Sequence, residues 1–152
     1  LEGMSLGGLI IYNWAAKNPK KVACIYGDAP VMDIKSWPLH WGDCLEENRR
    51  SANLLFESYG FEGMDEAMAW KKNPVNHARK LAKAKVPMIH VVGDIDTGVP
   101  VAENTAVFEK EVAKFGHSVY VIHKPDVGHH PHSLNNPEPI VSYILEATGY
   151  KR

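Results

Sequence analysis

Residues 1–8, LEGMSLGG, contain the pattern Gly-x-Ser-x-Gly centred on Ser5, and residues 9–19, LIIYNWAAKNP, follow it directly. The second stretch is apolar on almost every side, which predicts a helix buried in a larger structure. A serine between small residues at the start of such a helix is typical of a sharp active-site turn, and Gly7 and Gly8 fit the need for small residues. The alternative is a loop in which the serine is incidental. We expect no strand before it.

The composition excludes several functional classes. The 152 residues are 45% apolar and 23% charged, with a formal net charge of −1, so no basic surface indicates nucleic-acid binding. No apolar run approaches the ~20 residues of a membrane-spanning helix. Cys24 lies in an apolar stretch and Cys44 in a polar one, which predicts free thiols. The compartment is left open.

Three further stretches read as strands: residues 21–30, KVACIYGDAP, residues 86–96, VPMIHVVGDID, and residues 118–124, SVYVIHK. Within the second, residues 86–92 form a continuous apolar run, as in a strand covered on both faces, so His90 in this run is interpreted as a core residue. Strands that alternate with helices predict a parallel α/β sheet.

Two stretches in this half of the chain are predicted to be helices. Residues 99–116, VPVAENTAVFEKEVAKFG, are predicted to form one amphipathic helix capped at Gly116, and residues 137–149, PEPIVSYILEATG, the last helix. The buried stripe of the first is expected to consist of Val101, Thr105, Phe108 and Val112.

Between the first two of these strands lies an insertion, residues 31–85, which reads as mostly helical. An insertion of this length between sheet strands predicts a cap over a ligand site. Trp37 and Trp41 are candidates to line an acyl or sugar pocket, although packing within the cap would explain them equally well.

Candidate acids follow two of the predicted strands. Asp96 lies in GDIDTGVP, residues 93–100, and a carboxylate at the carboxyl end of a parallel strand can reach a histidine on a neighbouring loop. Asp94 or Asp96 could instead only form a turn or cap the next helix. Asp28, at the end of an earlier strand, is an alternative acid.

The candidate base lies in DVGHHPHSL, residues 126–134, where His129 directly follows a glycine. A histidine on a loop after the last strand can act as general base toward a serine. Together with His130 and His132 it also provides the residue type that binds zinc. However, two of the three are adjacent, no cysteine or acid accompanies them, and a proline stiffens the loop. The sequence therefore predicts no metal and no other cofactor.

The order Ser5, Asp96, His129 is the order of the catalytic triad in α/β-hydrolases. On GMSLGG, KVPMIHVVGDIDTGVP and PDVGHHPHSLNNPEPIVSYI, the chain resembles that superfamily over nearly its whole length, most closely its capped bacterial serine esterases. The resemblance implies Ser5 as nucleophile, Asp96 as acid, His129 as base and the backbone N–H of Leu6 as an oxyanion donor. It also places the cap, residues 31–85, between the sixth and seventh strands. Serine at the turn argues against the dehalogenase and epoxide-hydrolase branches.

The resemblance further implies an α/β fold in which the chain is the C-terminal part of a hydrolase sheet. The N-terminal strands, and the loop that gives the second oxyanion donor, are expected to lie in a missing N-terminal half of the same domain, which would be a partner. The expected activity is hydrolysis of a small-molecule or carbohydrate ester, with no nucleic acid or membrane as partner. The alternatives are a peptidase of the prolyl-oligopeptidase branch and a non-catalytic binding module. Alone, the chain is expected to associate and to be nearly inactive.

Overall fold

The computed structural model describes residues 1–150, and within them four parallel strands form one sheet in the order β1-β2-β3-β4. The strands are β1 (Glu2–Met4), β2 (Ile25–Asp28), β3 (Met88–Gly93) and β4 (Tyr120–Lys124). The predicted α/β class is confirmed.

The expectation that no strand precedes the serine turn is wrong. Glu2–Met4 pairs with β2, so that Gly3 lies opposite Gly27. The backbone N–H of Tyr26 also donates to the carbonyl of Leu1 at 2.9 Å. These three residues are too few to show the alternation by which a strand is recognised in a sequence.

The described residues contain six α-helices: α1 (Gly7–Lys17), α2 (Glu46–Tyr59), α3 (Met64–Ala69), α4 (Ala78–Lys83), α5 (Thr105–Ala113) and α6 (Glu138–Thr148). Short 3₁₀ turns occur at Pro19–Lys21, His40–Gly42, Pro74–His77 and Val101–Glu103. The last helix has the predicted end, because Gly149 adopts the left-handed conformation that closes a helix.

The single helix predicted over residues 99–116 is interrupted at Asn104. The Asn104 side chain accepts a hydrogen bond from the Met32 N–H at 2.9 Å and donates to Ser36 Oγ at 2.8 Å. These bonds compete with helical geometry, so Val101 lies on a separate 3₁₀ turn. The rest of the predicted stripe is buried on α5: Thr105, Phe108 and Val112.

The sheet is covered on both faces, as the apolar strands predicted. One face packs against α1, α4 and α5 through residues that include Tyr12, Ile25, Leu81, Met88 and Phe108. The other face packs against α6 through Tyr26, Ile89, Val91 and Ile140.

Residues 31–85 divide into two parts by their packing. From residue 31 to the end of α3, the buried apolar side chains other than Met32 form a separate cluster with Leu9 of α1. Met32 and helix α4 pack into the core under the sheet. Cys24 is buried, Cys44 is half-buried, and both are free thiols. Within residues 1–150, no helix combines the length and apolarity needed to cross a bilayer.

Helix α1 buries one side and exposes the other. Leu9 and Tyr12 are buried, whereas Ile10 is 67% exposed and lies beside the exposed Leu6 and Trp14. A contiguous apolar surface of this kind favours association. The expectation that the chain associates through this face stays a prediction.

His90 is a buried core residue at the centre of β3. Its Nε2 lies 2.6 Å from the Tyr12 hydroxyl and its Nδ1 lies 2.9 Å from Thr105 Oγ1. Both ring nitrogens are therefore satisfied without a positive charge. Burial lowers the pKa of His90 to about 3.

This pKa predicts an acid-sensitive fold. In the unfolded chain His90 takes up a proton below pH ~6.5, whereas in the folded chain it stays neutral down to about pH 3, so stability is lost as the pH falls through that window. We expect His90 to contribute a slope of up to about 1.4 kcal/mol of unfolding free energy per pH unit. Urea unfolding between pH 7 and pH 4 should give a shallower slope for His90→Gln. Equal slopes would contradict the buried neutral imidazole.

Candidate active site

Ser5 occupies a strained turn between β1 and α1. Its φ is 48°, in the left-handed region that residues other than glycine rarely adopt. The Ser5 N–H donates to the Asp28 carbonyl, and the Ser5 carbonyl accepts from the N–H groups of Gly8 and Val31, each at 2.9 Å. These bonds fasten the turn to the end of β2. A strained serine between a strand and a helix is the geometry of a nucleophile elbow.

Of the two glycines after the serine, only Gly8 lies where a side chain would collide with neighbouring atoms. A Cβ at Gly8 would lie 2.7 Å from the Val31 carbonyl oxygen, which is backbone and cannot easily move. A Cβ at Gly7 would meet no atom within 4 Å in the described residues. The sequence interpretation, which assigned the need for a small residue to both glycines, is correct only for Gly8.

This contrast predicts different effects for two neighbouring alanine substitutions. Gly8→Ala is expected to lower the unfolding free energy by about 1–3 kcal/mol, because the new methyl group forces backbone apart. Gly7→Ala is the matched control and should be neutral or stabilising by up to about 1 kcal/mol, since alanine is the better helix former. Chemical denaturation of the two variants measures both. Equal losses would contradict the close contact between α1 and Val31.

Asp96 and His129 reach Ser5 from two neighbouring loops. His129 Nε2 lies 3.0 Å from Ser5 Oγ, and His129 Nδ1 lies 2.7 Å from Asp96 Oδ2. The other Asp96 oxygen accepts hydrogen bonds from the N–H groups of Gly98 and Val99, at 2.9 and 2.8 Å. The Asp96 side chain is only 1% exposed, so these bonds replace its hydration. The structure thus brings the three residues predicted from the sequence into one hydrogen-bonded line.

The loops that carry Asp96 and His129 are held together by their backbones. Ile95 N–H donates to the Val127 carbonyl at 3.1 Å. A Cβ at Gly93 would lie 2.3 Å from that same carbonyl oxygen and 2.2 Å from the Gly128 oxygen. Only glycine permits this approach, so Gly93 helps to place the acid and the histidine beside each other.

Asp28, the alternative acid, contacts a different histidine. Its Oδ1 lies 2.9 Å from His132 Nδ1, while its Oδ2 accepts from the Tyr26 hydroxyl and from the Ser133 N–H at 2.5 Å. Burial and the neighbouring carboxylate raise the pKa of Tyr26, so its hydroxyl stays protonated and donates. The His132–Asp28 pair was not predicted from the sequence. A possible signal was that Asp28 and Asp96 both follow the carboxyl ends of adjacent parallel strands.

Leu6 directly follows Ser5 and lies at the N-terminus of α1. Among the hydrogen bonds of residues 1–150, none uses the backbone N–H of Leu6 as a donor. The start of an α-helix carries partial positive charge, and the role of this N–H as an oxyanion donor stays a prediction.

An apolar pocket of about 280 Å³ adjoins the serine turn. It lies between the start of α1, the loop at Trp37 and helix α2, and its lining is Leu6, Leu9, Ile10, Trp37, Pro38, Ser51, Leu54, Leu55, Ser58 and Tyr59. Trp37 is part of this lining, and its contact with an acyl or sugar group stays a prediction. Trp41 is not part of this lining: it adopts a left-handed conformation, with φ of 57°, and its side chain is largely exposed. The helical spacing of Ser51, Leu55 and Ser58 could have indicated the α2 wall.

The geometry of the fold agrees with solved structures of hydrolases. A puromycin-hydrolyzing peptidase of Mycobacterium tuberculosis superimposes with a TM-score of 0.69 at 16% identity, over 99% of this chain and 22% of that one. The acylaminoacyl peptidase of Pyrococcus horikoshii gives 0.59 at 16% identity, over 84% and 19%. The monoacylglycerol lipase of Paleococcus ferrophilus gives 0.57 at 15% identity, over 99% and 68%.

The chain spans about a fifth of the length of a dipeptidyl aminopeptidase and of the puromycin hydrolases that it also matches. At these identities the structural likeness establishes the fold, which is that of the α/β-hydrolase superfamily predicted from the motifs. No curated protein sequence matches the chain significantly. The model of the prolyl oligopeptidase family matches residues 1–148, almost the entire chain. The chain is therefore a member of the prolyl oligopeptidase family.

Proposed function

We propose that the chain carries the catalytic triad of a serine hydrolase that cleaves acyl bonds through a covalent acyl-enzyme. The observation that carries the proposal is the continuous line Ser5 Oγ, His129, Asp96, with separations of 3.0 and 2.7 Å. A nucleophile within hydrogen-bond reach of a base, which is oriented by a buried acid, is the arrangement that activates a serine hydroxyl.

In the proposed reaction, His129 Nε2 takes the Ser5 proton as Ser5 Oγ attacks the acyl carbon. Asp96 accepts the His129 Nδ1–H, holds the ring in the required tautomer and stabilises the imidazolium. The Leu6 N–H donates to the oxyanion. His129 then protonates the leaving group. In the second half of the reaction His129 takes a proton from a water molecule, which attacks the acyl carbon, and the proton returns to Ser5 Oγ as the acid is released.

A peptide or amide bond is the first candidate substrate class. Its support is the family to which the chain belongs, together with the fold likeness to proteins described as peptidases. The proposed site suits an amide, because His129 can donate to the departing amine the proton it took from Ser5.

A carboxylic ester is the second candidate, and the apolar pocket favours it. The pocket begins at Leu6, the residue after the proposed nucleophile, and its walls are mostly aliphatic and aromatic side chains. Burial of an apolar acyl chain there would make the binding free energy more favourable by about 25 cal/mol for each Å² of apolar surface removed from water. The α2 wall belongs to residues 31–85, which supports the interpretation of this segment as a cap.

A pair of substrates with one acyl group and two leaving groups tests both candidates. The intact protein that contains these residues should be assayed with a p-nitroanilide and a p-nitrophenyl ester of the same acylated amino acid, beside Ser5→Ala. Ser5-dependent cleavage of the anilide supports the peptidase, and Ser5-dependent cleavage of the ester alone supports the esterase. If neither substrate is cleaved, or if Ser5→Ala cleaves them at the wild-type rate, the chain is better explained as a non-catalytic module.

A further inference from the structure

Three imidazole rings meet beside the proposed triad. The ring centroids of His129, His130 and His132 lie 4.7–5.0 Å apart, and their planes are mutually inclined at 78–81°. One ligating nitrogen of each ring lies within 4.8 Å of those of the other two. Rings that stand nearly perpendicular to each other around a common point can direct their lone pairs to that point, as in His₃ zinc sites.

Two of these rings are held in the manner of metal ligands. His129 Nδ1 faces Asp96 Oδ2 at 2.7 Å, and His132 Nδ1 faces Asp28 Oδ1 at 2.9 Å. A histidine that gives its Nδ1–H to a carboxylate keeps its lone pair on Nε2, and this is how metal-binding histidines are usually oriented. The sequence predicted no metal for three reasons, and one of them was that no cysteine or acid accompanies the histidines. In the fold, buried acids arrive from the ends of β2 and β3.

The third ring opens the cluster to solvent. His130 is exposed, and within residues 1–150 no hydrogen bond engages its ring nitrogens, so either one can bind an ion. The two buried carboxylates place negative charge behind the rings, which favours a dication in front of them.

We propose that His129, His130 and His132 form a binding site for a divalent transition metal of the zinc type, and that the bound ion inhibits the enzyme. Imidazole ligands suit Zn²⁺, and bonds of about 2.0–2.1 Å require the three nitrogens to draw closer than they are in the present arrangement, with water in the fourth position. The ion takes the Nε2 lone pair of His129, which is the pair that must accept the Ser5 proton. Binding therefore excludes general-base catalysis. The inhibition rests on the proposed function, whereas the metal site does not.

A cobalt titration tests the site without reference to activity. The intact protein, purified without a histidine tag, is titrated with Co²⁺, and its visible absorption bands are recorded. The titration is repeated with Ser5→Ala, which lacks the proposed nucleophile and keeps all three histidines. We expect one ion per chain. His130→Ala and His132→Ala should weaken binding by more than about tenfold, and Asp28→Asn by about 10–100-fold because it orients His132.

His123→Ala is the matched control, since His123 Nδ1 also faces a carboxylate, Asp94 Oδ1 at 2.6 Å, but lies outside the cluster. It should leave Co²⁺ binding unchanged. Absence of Co²⁺ binding, or equal binding by the wild type, His130→Ala and His132→Ala, would overturn the site.

Inhibition by Zn²⁺ is then measured on the active protein. We expect a loss of rate that a chelator reverses and that His130→Ala and His132→Ala resist. Co²⁺ binding by the cluster without any Ser5-dependent hydrolysis would refute the proposed function and leave the metal site standing. Hydrolysis that Zn²⁺ leaves unchanged at concentrations that saturate the site would overturn the inhibitory role.

Discussion

Replacing Ser5 by alanine is expected to reduce kcat by about 10⁶-fold, the loss seen when the nucleophile of a Ser-His-Asp triad is removed. No neighbouring group can substitute for it, because Ser5 Oγ is the hydroxyl within 3.0 Å of His129 Nε2. The measurement is kcat on the better of the two chromogenic substrates, with active-site concentration from a titrant.

Ser142→Ala provides the control for this experiment. Ser142 lies on α6, and its hydroxyl donates to Glu138 Oε1 at 3.0 Å. Helix α6 packs on the face of the sheet opposite to α1, which begins at the serine turn. The kcat of Ser142→Ala should equal that of the wild type. A Ser5→Ala enzyme that retained more than about a thousandth of the wild-type rate would remove Ser5 from the role of nucleophile, because binding and oxyanion donors alone give much less.

The second large effect concerns the acid. Asp96→Asn should reduce kcat by up to about 10⁴-fold, because an amide at this position no longer holds His129 in the tautomer that accepts the serine proton. The side chain keeps its size, so the two N–H groups of Gly98 and Val99 can still bond to its oxygen. Comparison of kcat, with folding checked by circular dichroism, measures the effect.

Asp28→Asn is the matched control for Asp96→Asn. Asp28 is equally buried and also bonds a histidine, but that histidine is His132. We therefore expect it to cost far less in kcat. The opposite ranking of the two variants would transfer the acid to the end of β2 and would require His132 and His129 to exchange their places.

Much of this fold could be predicted from the sequence because its signals are local. Strand β3 lies in a continuous apolar run and β2 in a largely apolar stretch, and Asp96 and His129 each follow a predicted strand. The strand before Ser5 was not expected. Parallel strands bring their carboxyl ends to one edge of a sheet, so side chains that follow them are brought together by the topology alone. That rule does not depend on the details of side-chain packing.

The features that could not be predicted depend on contacts between distant residues. Asn104 interrupts a helix because it bonds Met32, and nothing near Asn104 in the sequence reveals this partner. The crowding at Gly8 comes from the Val31 backbone, and Trp41 is turned away from the pocket by the conformation of its own turn.

The pairing of His132 with Asp28 spans most of the chain and was hidden for the same reason. His129 and His132 lie on the same loop after β4, so the conformation of that loop decides which acid each histidine contacts.

Covalent labelling tests the central claim most directly. An alkyl fluorophosphonate reacts with a serine hydroxyl only when a base removes its proton, so the reagent reports the activated nucleophile independently of the true substrate. After reaction of the intact protein, proteolysis and mass spectrometry should locate a single phosphonyl adduct on Ser5, and His129→Ala should abolish it. A protein that remains unlabelled, or that carries its adduct on another residue, would contradict the assignment of Ser5, His129 and Asp96 as a catalytic triad.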